Sequence, residues 1–568
     1  MRTLLIFIVM VVSATVSLLA ENPAVIYVKA DPGKDMTEAL QKAIDKAPSY
    51  RGEATEIRLE PGVYNISRRE GTARLLHISN TTSPEENPVP IKHIGLNITG
   101  ISNLTIDGQG AKIVTHGEMT PWVIENCDNI TLKNFTIDAA DPSVPEMTVL
   151  ANTDTSMTVK TASPYDIRDG KLYWQGEGWT FTNGIAQIYN PKDTTTLRAD
   201  SPISFSEKVT EIEPGTLHFT YSPRKTDNLT GYVYQMRHSL RTEVAGLIWR
   251  SSDITLSNIK FCFMGNFGVV AQFSSDITYS NLSCMPDPES GRTCTGFADF
   301  FQVSGCKGQI SFDGCTFAGS HDDPINIHGT HLRITDIISD DCMRVRFMHG
   351  QTFGFPAFYK GDTIAITDAY SLLRQFEAKV NEAIMVNDHE MELQIDRKLP
   401  DYIHVMEDAV VENLTWAPSV DIRDCYFTLT PTRGILVSTW RPVTITDNIF
   451  FRCPMSAILI ADDALSWYES GPVSNVTISG NRFIDCTNPV IEIAPEVKTP
   501  RGQVHENIKV TDNIFEVTGC YPVSGLPELD ASLVKGLVIR NNKVTTHDSH
   551  CSGQLRIILD GCTEVTVD

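Results

Sequence analysis

Three aspartates in one short segment have the residue type and spacing for acid–base chemistry. They are Asp299 in Gly-Phe-Ala-Asp-Phe-Phe and the adjacent pair Asp322 and Asp323 in Ser-His-Asp-Asp-Pro. Aspartate is rare in strands, and neighbouring carboxylates repel each other, which raises the pKa of one of them. Such a group suits glycoside hydrolysis, in which one carboxyl protonates the leaving oxygen while ionised partners orient a water or attack the sugar.

Two other interpretations fit the same three residues. An aspartate ladder can hold turns through hydrogen bonds to the backbone, and stacked carboxylates are good ligands for calcium. The residues alone leave catalysis, calcium binding and a structural role open. The chain contains no CxxC pair and no HExxH motif. We therefore predict no structural or catalytic zinc and no other cofactor, with calcium at the three aspartates as the alternative that stays open.

A repeated strand motif indicates how the aspartates are positioned. The related phrases at Asp253 and Asp276, Asp-Ile-Thr-Leu-Ser-Asn and Asp-Ile-Thr-Tyr-Ser-Asn, begin 23 residues apart, and so do those at Val420 and Val443. Each phrase is a short strand that ends in Asn or Asp, where a left-handed turn costs little. A period in the low twenties without helices between the strands is typical of a parallel β-helix, with one rung per period.

This period stacks the three aspartates. Asp299 precedes Asp322 by 23 residues and Asp323 by 24. Matching Phe-x-Val-x-Gly after Asp299 to Ile-x-Ile-x-Gly after Asp323 favours the step of 24, which places these two side by side. Residues one rung apart lie about 4.8 Å from each other. Either register brings the three carboxyls into one patch.

The predicted fold is all-β: a right-handed parallel β-helix with two inserted small antiparallel β-barrel modules and an N-terminal capping helix. Residues 35–47 are predicted to form that amphipathic helix, which begins with the capping-box-like Asp-Met-Thr-Glu and covers the open end of the stack. The predicted segments are a signal peptide at 1–20, the N-terminal β-helix at 21–144, the first insertion at 145–236, the central rungs at 237–331, the second insertion at 332–415 and the C-terminal rungs at 416–568.

The N-terminus has the pattern of a signal peptide. A charged start, Met-Arg-Thr, is followed by an apolar run at 4–19 and by Ala20. We expect export to the periplasm or the medium, with a mature chain that starts near Glu21. An uncleaved membrane anchor is the alternative for this run, and no later segment is apolar enough to span a membrane.

The net charge limits the classes of ligand, and the cysteine spacing limits the disulfides that we predict. A net charge of −23 repels polyanions, which argues against nucleic acid and favours a neutral ligand. Most of the thirteen cysteines stand alone at strand ends, where they act as small apolar residues. Cys284 and Cys294 flank a loop and are the one pair that we predict to form a disulfide. The oligomeric state is left open.

The export signal, the repeats, the two interruptions and the aspartate segment together resemble the α-1,3-galactosidases of glycoside hydrolase family 110. The resemblance implies an inverting, metal-free exo-enzyme that removes terminal α-1,3-linked galactose, including that of the blood-group B antigen. It also implies that Asp322 is the general acid and that Asp299 and Asp323 activate the water. Polygalacturonases are similar in fold, but their Gly-His-Gly and Arg-Ile-Lys signatures are absent.

Further rungs offer residues that could hold an oligosaccharide. The segments that begin at Arg433 and Ser456 align at 23 residues and carry aromatic and charged side chains. Tryptophan stacks on the apolar face of a sugar, and charged groups hydrogen-bond its hydroxyls. Among three histidines near the acids, His321, His328 and His331, we rank His328 first. The predicted binding residues are His328, Arg433, Trp440, Arg441, Trp467 and Glu469.

Two other functions remain open at this point. One is a different carbohydrate enzyme on a β-helix, such as a polygalacturonase-like hydrolase or a lyase. The other is a β-helix that binds glycans without catalysis. For a galactosidase, the preference between linear and fucose-branched substrates is also open.

Overall fold

The structure is a computed structural model that describes residues 23–47, 54–487, 489–520, 527–547, 551 and 553–568. The predicted signal peptide at 1–20 lies outside these residues. Two long sheets, of 21 and 13 strands, run the length of the molecule, and their strands pair almost entirely in parallel. In most rungs the chain contributes two short strands to the first sheet and one to the second, which makes a parallel β-helix.

The strands of the two long sheets have the following bounds. The 21-stranded sheet consists of Ala24–Val28, Thr55–Leu59, Val63–Ser67, Ser102–His116, Asp128–Ala139, Ser252–Phe261, Ser275–Ser280, Ser283–Cys284, Lys307–Asp313, Thr316–Ala318, Ser419–Arg423, Tyr426–Thr428, Val443–Thr446, Ile449–Phe451, Ser474–Ser479, Arg482–Ile484, His505–Thr511, Ile514–Val517, Val534–Arg540, Lys543–Thr546 and Thr566–Val567. The 13-stranded sheet consists of Thr72–Leu75, Ile91–Thr99, Thr120–Glu125, Gly246–Trp249, Val269–Gln272, Phe301–Ser304, Ile325–Thr330, Ile435–Val437, Ile458–Ile460, Glu469–Ser470, Ile491–Ile493, Glu528–Ser532 and Arg556–Asp560.

The repeated phrases form neighbouring strands in the predicted register. Ile254 pairs with Ile277, and Val420 pairs with Val443, so each step of 23 residues is one rung. The Asn and Asp residues of the phrases have positive φ angles, for example 54° at Asp253 and 51° at Asn258. Because Asn and Asp tolerate the left-handed region better than other side chains, they allow the chain to bend between the faces of the helix.

The interior is filled by columns of identical side chains. Phe427, Phe450, Phe483 and Phe515 lie on successive rungs with ring centroids 4.6 to 5.1 Å apart. Stacked aromatic rings bury a large apolar area and fix the spacing of the rungs that carry them. A continuous stack of aromatic rings therefore fills this part of the interior.

Replacing Phe450 by Ala should lower the free energy of unfolding by about 3–5 kcal/mol, because it leaves a cavity between two stacked rings. Chemical denaturation measures the loss. The control is Phe451→Ala on the same strand, whose ring is only partly buried and which should cost clearly less. Equal losses for the two variants would contradict the description of this column.

A helix covers the N-terminal end of the stack, as predicted, over Thr37–Lys46 rather than 35–47. Its buried face includes Leu40, Ala43 and Ile44. The predicted capping box is wrong in detail. Asp35 accepts a hydrogen bond from the backbone N–H of Thr37, but Glu38 forms an exposed ion pair with Lys42 instead of returning to the cap.

Two antiparallel modules interrupt the β-helix. The first contains a seven-stranded sheet and a three-stranded sheet that share one hydrophobic core. The second is a closed six-stranded barrel. The strands of the first are Glu146–Asn152, Ser156–Lys160, Tyr165–Arg168, Lys171–Gly176, Trp179–Phe181, Ile185–Asn190, Thr195–Ala199, Lys208–Glu213, Thr216–Thr220 and Val233–Arg237, with a short helix at Pro202–Phe205. The strands of the second are Leu332–Ser339, Cys342–Arg346, Thr363–Asp368, Arg374–Asn387, Glu390–Ile395 and Ala409–Asn413.

The predicted disulfide is wrong. All thirteen cysteines lie in the described part of the chain, and all are free. Cys284 belongs to the core of the β-helix, whereas Cys294 belongs to a separate hydrophobic cluster and its thiol donates to the carbonyl oxygen of Gly296. The two cysteines flank the same loop in sequence, but their side chains pack into different cores. No helix in the described residues is long and apolar enough to cross a membrane.

Candidate active site

Strand pairing brings the three aspartates together with a step of 24 residues. Phe301 pairs with Ile325 in parallel, and just before these strands the N–H of Phe300 donates to the carbonyl oxygen of Asp323. Asp299 and Asp323 thus hold the same position on neighbouring rungs. Both are buried, with 5% and 2% of their surface exposed. The side chain of Asp322 is 20% exposed, so it is the carboxyl nearest to solvent.

Within this cluster of three carboxyls, Asp323 and Asp322 have different cationic partners. Asp323 Oδ1 accepts from Arg433 Nε at 3.0 Å and from the Arg433 N–H at 3.2 Å. Asp322 Oδ2 lies 3.3 Å from Arg198 Nη2, 3.6 Å from Arg241 Nη2 and 3.8 Å from Arg237 Nη2. Four guanidinium groups therefore offset the negative charge of a patch that is mostly shielded from water.

The surroundings favour the protonated form of the two buried carboxyls. Burial raises the pKa of Asp299 well above its ordinary value, and the negative charge of Asp322 raises it further, against the effect of Arg241. Burial also raises the pKa of Asp323, while the positive charge of Arg433 opposes the shift. The pair thus holds a proton more readily than isolated aspartates do, which is the behaviour of carboxyls that share one proton.

The aspartates lie at one end of a cavity on the outer face of the 13-stranded sheet. Its floor is a column of outward side chains, Asn326, Leu436 and Leu459, which lie on three successive rungs. Asp462 and Glu469 belong to the segments that follow these strands, so they line the other end. The two leucines give the floor an apolar part between two polar ends, which matches a sugar ring with its apolar faces and polar edge.

One wall of the cavity depends on a buried lysine. Lys92 Nζ donates to the carbonyl oxygen of Thr242 at 2.6 Å and to Thr81 Oγ1 at 2.9 Å. Thr242 follows Arg241 and Thr81 follows Asn80, and both preceding residues line the cavity. Burial lowers the pKa of Lys92 to about 8, against the opposing charge of Glu243. Lys92 therefore ties together two wall segments that are distant in sequence.

Three of the predicted binding residues, Arg433, Trp467 and Glu469, line this cavity. Trp467 is 45% exposed, and its indole packs at a tilt of 33° against the ring of His349 in the second insertion, with ring centroids 4.6 Å apart. His328 is buried behind Glu469, with its Nε2 3.5 Å from Glu469 Oε1. It supports a lining residue and does not itself line the cavity.

Trp440 and Arg441 are not brought to the cavity. The strand Ile435–Val437 ends before them, and the chain turns away from the outer face of the sheet. Arg441 stacks on the indole of Trp440 at 3.9 Å, and Arg374 of the second insertion approaches the same ring at 5.5 Å. The two predicted binding residues thus pack against each other, and Trp440 also contacts the inserted barrel.

Sequence reasoning missed Arg198, Arg237, Arg241 and Asp462. The three arginines come from the first insertion and from the segment that returns to the β-helix, so the period of the rungs does not predict their position. Two arginines four residues apart at the return, in Arg-His-Ser-Leu-Arg, are the one visible signal. Asp462 lies in the aligned rungs, but nothing in the sequence distinguishes it from the adjacent Asp463.

Comparison with known proteins decides the family. The chain is 43% identical over 549 residues to an alpha-1,3-galactosidase A of Bacteroides thetaiotaomicron, which covers 96% of this chain and 95% of the relative. The chain belongs to the α-1,3-galactosidases of glycoside hydrolase family 110. The enzyme is thus a glycoside hydrolase that acts on a carbohydrate substrate.

Other comparisons agree with this assignment. An alpha-1,3-galactosidase B of the same organism is 31% identical over 95% of this chain and 88% of its own length. Two family models match the insertions of the galactosidase: GLAA-B beta-barrel domain I at residues 145–229 and GLAA-B beta-barrel domain II at 342–410. Among solved structures, a Yersinia enterocolitica family 28 exopolygalacturonase aligns over 96% of this chain and 79% of its own, with 10% identity and a TM-score of 0.40. That likeness is too distant to carry a conclusion.

Replacing Arg433 by Met in the galactosidase should move the acidic limb of the kcat/KM profile to higher pH. Arg433 holds down the pKa of Asp323, so its removal lets that pKa rise further. If Asp323 must be ionised to accept a proton, activity is then lost at a higher pH as the pH falls. A pH–rate profile measures the shift. The control is Arg423→Met, which removes a surface ion pair with Asp313. An unchanged limb in Arg433→Met would contradict this role.

Proposed function

We propose that this galactosidase releases terminal α-1,3-linked galactose from the non-reducing ends of glycans, with inversion at the anomeric carbon. The observation that carries the proposal is the arrangement of one partly exposed carboxyl, Asp322, beside two buried carboxyls with raised pKa values. Inverting hydrolysis needs one carboxylic acid on the side of the leaving group and a carboxylate that activates water on the opposite face of the sugar.

In this mechanism Asp322 donates a proton to the glycosidic oxygen as the bond from that oxygen to C1 breaks. Its exposure fits a group that faces the departing sugar at the mouth of the cavity. The carboxylate that remains on Asp322 is stabilised by Arg198, Arg237 and Arg241, which lie 3.3 to 3.8 Å away. The arginines thereby offset the negative charge that develops on Asp322 as the proton leaves.

Asp299 and Asp323 activate the water that attacks C1 from the other face. Because they lie on neighbouring rungs, a single water can hydrogen-bond to both. A shared proton leaves one negative charge between them, and their raised pKa values make that charge a stronger base than an isolated aspartate. The pair takes one proton from the water as its oxygen bonds to C1, and the product is β-galactose.

The arginine partners also favour this function over a calcium site. A divalent cation would have to compete with the guanidinium groups of Arg433 and Arg241 for the same oxygens. Among the described residues, the one cluster whose ligand atoms lie close enough together for a metal is Asp138 with Cys262 and Asp287, and it does not include the three aspartates. There Asp138 is already paired with Arg292 at 2.6 Å and with Lys112 at 3.1 Å.

The proposed substrates are blood-group B oligosaccharides and linear α-1,3-galactosyl oligosaccharides. Incubation of each with the wild type and with Asp322→Asn, followed by analysis of released monosaccharide, tests the proposal. Galactose from the wild type and far less from the variant is the expected result. Release of no galactose from either substrate, or a variant as active as the wild type, would show that the proposed function is wrong.

We also propose that the enzyme acts outside the cytoplasm, since a signal-peptide pattern at 1–20 precedes the β-helix. Its glycan substrates are too large and polar to cross a membrane unaided, so an exported enzyme would meet them directly. N-terminal sequencing of the protein recovered from the periplasm or the medium tests this. A mature chain that starts near Glu21 is expected.

A further inference from the structure

We propose that Asp462 binds one hydroxyl group of the terminal galactose, at the end of the cavity opposite the catalytic aspartates, and so determines which sugar is accepted. The inference deepens the proposed function and rests on it. Asp323 and Arg433 come just before strands that form the cavity floor, whereas Asp462 comes just after the strand Ile458–Ile460. Because these strands run parallel and side by side, the two groups lie at opposite ends of the floor.

The hydrogen bonding of Asp462 is incomplete. Its Oδ1 accepts from the N–H of Gly471 at 3.0 Å, but its Oδ2 has no partner among the described residues. The residue is only 1% exposed and lines the cavity. A buried polar oxygen without a partner is costly, so native proteins retain one mainly where a ligand or water completes its bonding.

Gly471 shows that this geometry is built into the fold. It has a φ of +138°, and a Cβ at this position would lie 2.5 Å from the carbonyl oxygen of Ser438. Only glycine therefore allows the chain to come this close and to direct its N–H at Asp462. The contact holds Oδ1 in place and leaves Oδ2 as the atom available to a ligand.

The neighbouring Asp463 provides the contrast. Its two carboxylate oxygens accept from the backbone N–H groups of Leu465, Ser466, Trp467 and Tyr468. Asp463 therefore holds the loop that carries Trp467. Both of its carboxylate oxygens already have hydrogen-bond partners. Two adjacent aspartates thus have different roles, one in holding the loop and one facing the sugar.

The surroundings of Asp462 suit a neutral sugar. Burial and the negative charge of Glu412 raise the pKa of Asp462 well above its ordinary value, against the effects of Gly471 and Arg374. A protonated carboxyl whose Oδ1 accepts from Gly471 carries its proton on Oδ2, which can then donate to a hydroxyl oxygen. A sugar that lacks this hydroxyl leaves the carboxyl unpaired. Sites of this kind discriminate strongly against substrates without the recognised hydroxyl.

The test uses a linear α-1,3-galactosyl disaccharide and its four analogues in which the terminal galactose lacks one hydroxyl, at C2, C3, C4 or C6. Asp462→Ala should lower kcat/KM on the parent disaccharide about 10- to 100-fold. On one analogue, the one without the recognised hydroxyl, wild type and variant should be equal within about 2-fold, because the lost interaction is already absent. Asp462→Asn, which keeps the size and a polar terminus, should lose less.

An equal loss on all five substrates would overturn the inference, because a merely structural role does not depend on the substrate's hydroxyls. No loss at all would overturn it too. If Asp462→Ala does not fold, Asp462→Asn provides the same comparison. The control is Asp485→Asn. It weakens the hydrogen bonds between a buried carboxyl and Thr518, away from the cavity. It should lower the melting temperature without changing the ranking of the analogues.

The experiment separates this inference from the proposed function. A wild type that releases no galactose from the parent disaccharide would contradict the proposed function itself. A wild type that is active, together with Asp462 variants that lose the same factor on every analogue, would contradict only the role of Asp462.

Discussion

Replacing Asp322 by Asn should lower kcat on an α-1,3-galactosyl disaccharide about 10²–10⁴-fold, while most of the activity on α-galactosyl fluoride remains. The disaccharide needs a proton on its leaving oxygen, and Asn cannot supply one. Fluoride departs without full protonation, so the fluoride substrate bypasses the general acid. Steady-state kinetics on the two substrates measure the difference. Equal losses on both would contradict the role of Asp322 as proton donor.

The same variant should change the pH profile on the fluoride in a defined direction. The charge of Asp322 is one cause of the raised pKa of Asp299, so its removal lowers that pKa. The base then stays ionised to a lower pH, and the acidic limb of kcat/KM moves to lower pH. This shift is opposite to the one expected for Arg433→Met. The control is Asp421→Asn on the outer surface of the β-helix, which should leave both rate and profile unchanged.

Replacing Asp299 by Asn should lower kcat about 10²–10⁴-fold on both substrates, because every turnover needs the activated water whatever the leaving group. Added azide should restore part of the rate on α-galactosyl fluoride. The azide ion attacks C1 without a base, fluoride leaves, and β-galactosyl azide forms. Asp323→Asn should behave in the same way.

Azide should not accelerate Asp322→Asn. In this variant Asp299 and Asp323 are intact, so they still activate the attacking water. Product analysis by mass spectrometry distinguishes galactosyl azide from galactose. Activity of Asp299→Asn on the fluoride at the wild-type level, or rescue of Asp322→Asn alone, would contradict the assignment of acid and base. Comparing the variants on the disaccharide, on the fluoride and on the fluoride with azide therefore distinguishes acid from base better than any single loss of activity.

The fold and the aspartate patch were predictable because both follow from one period. A step of 23 residues relates Asp253 to Asp276, and nearly the same step relates Asp299 to Asp323, so the repeat that predicts the rungs also predicts which carboxyls meet. The column of phenylalanine follows the rungs even where the spacing in sequence lengthens, since Phe427 stacks on Phe450 and Phe450 stacks on Phe483.

The parts that could not be predicted lie where the period is interrupted. Arg198 and Arg237 come from an inserted module, and their approach to Asp322 depends on how that module packs on the β-helix. Trp440 and Arg441 follow the end of a strand, where the turn and not the register decides direction. Cys284 and Cys294 are close in sequence but belong to different cores, so proximity along the chain did not produce a disulfide.

The most direct test of the central claim is the configuration of the first galactose released by the wild type. Proton NMR recorded during rapid hydrolysis of an α-1,3-galactosyl disaccharide distinguishes the two anomers before they interconvert. We expect β-galactose first, with the α-anomer appearing later by mutarotation, because water activated by Asp299 and Asp323 attacks opposite the leaving group. α-Galactose as the first product would contradict it, since it would require a covalent intermediate on one of these aspartates.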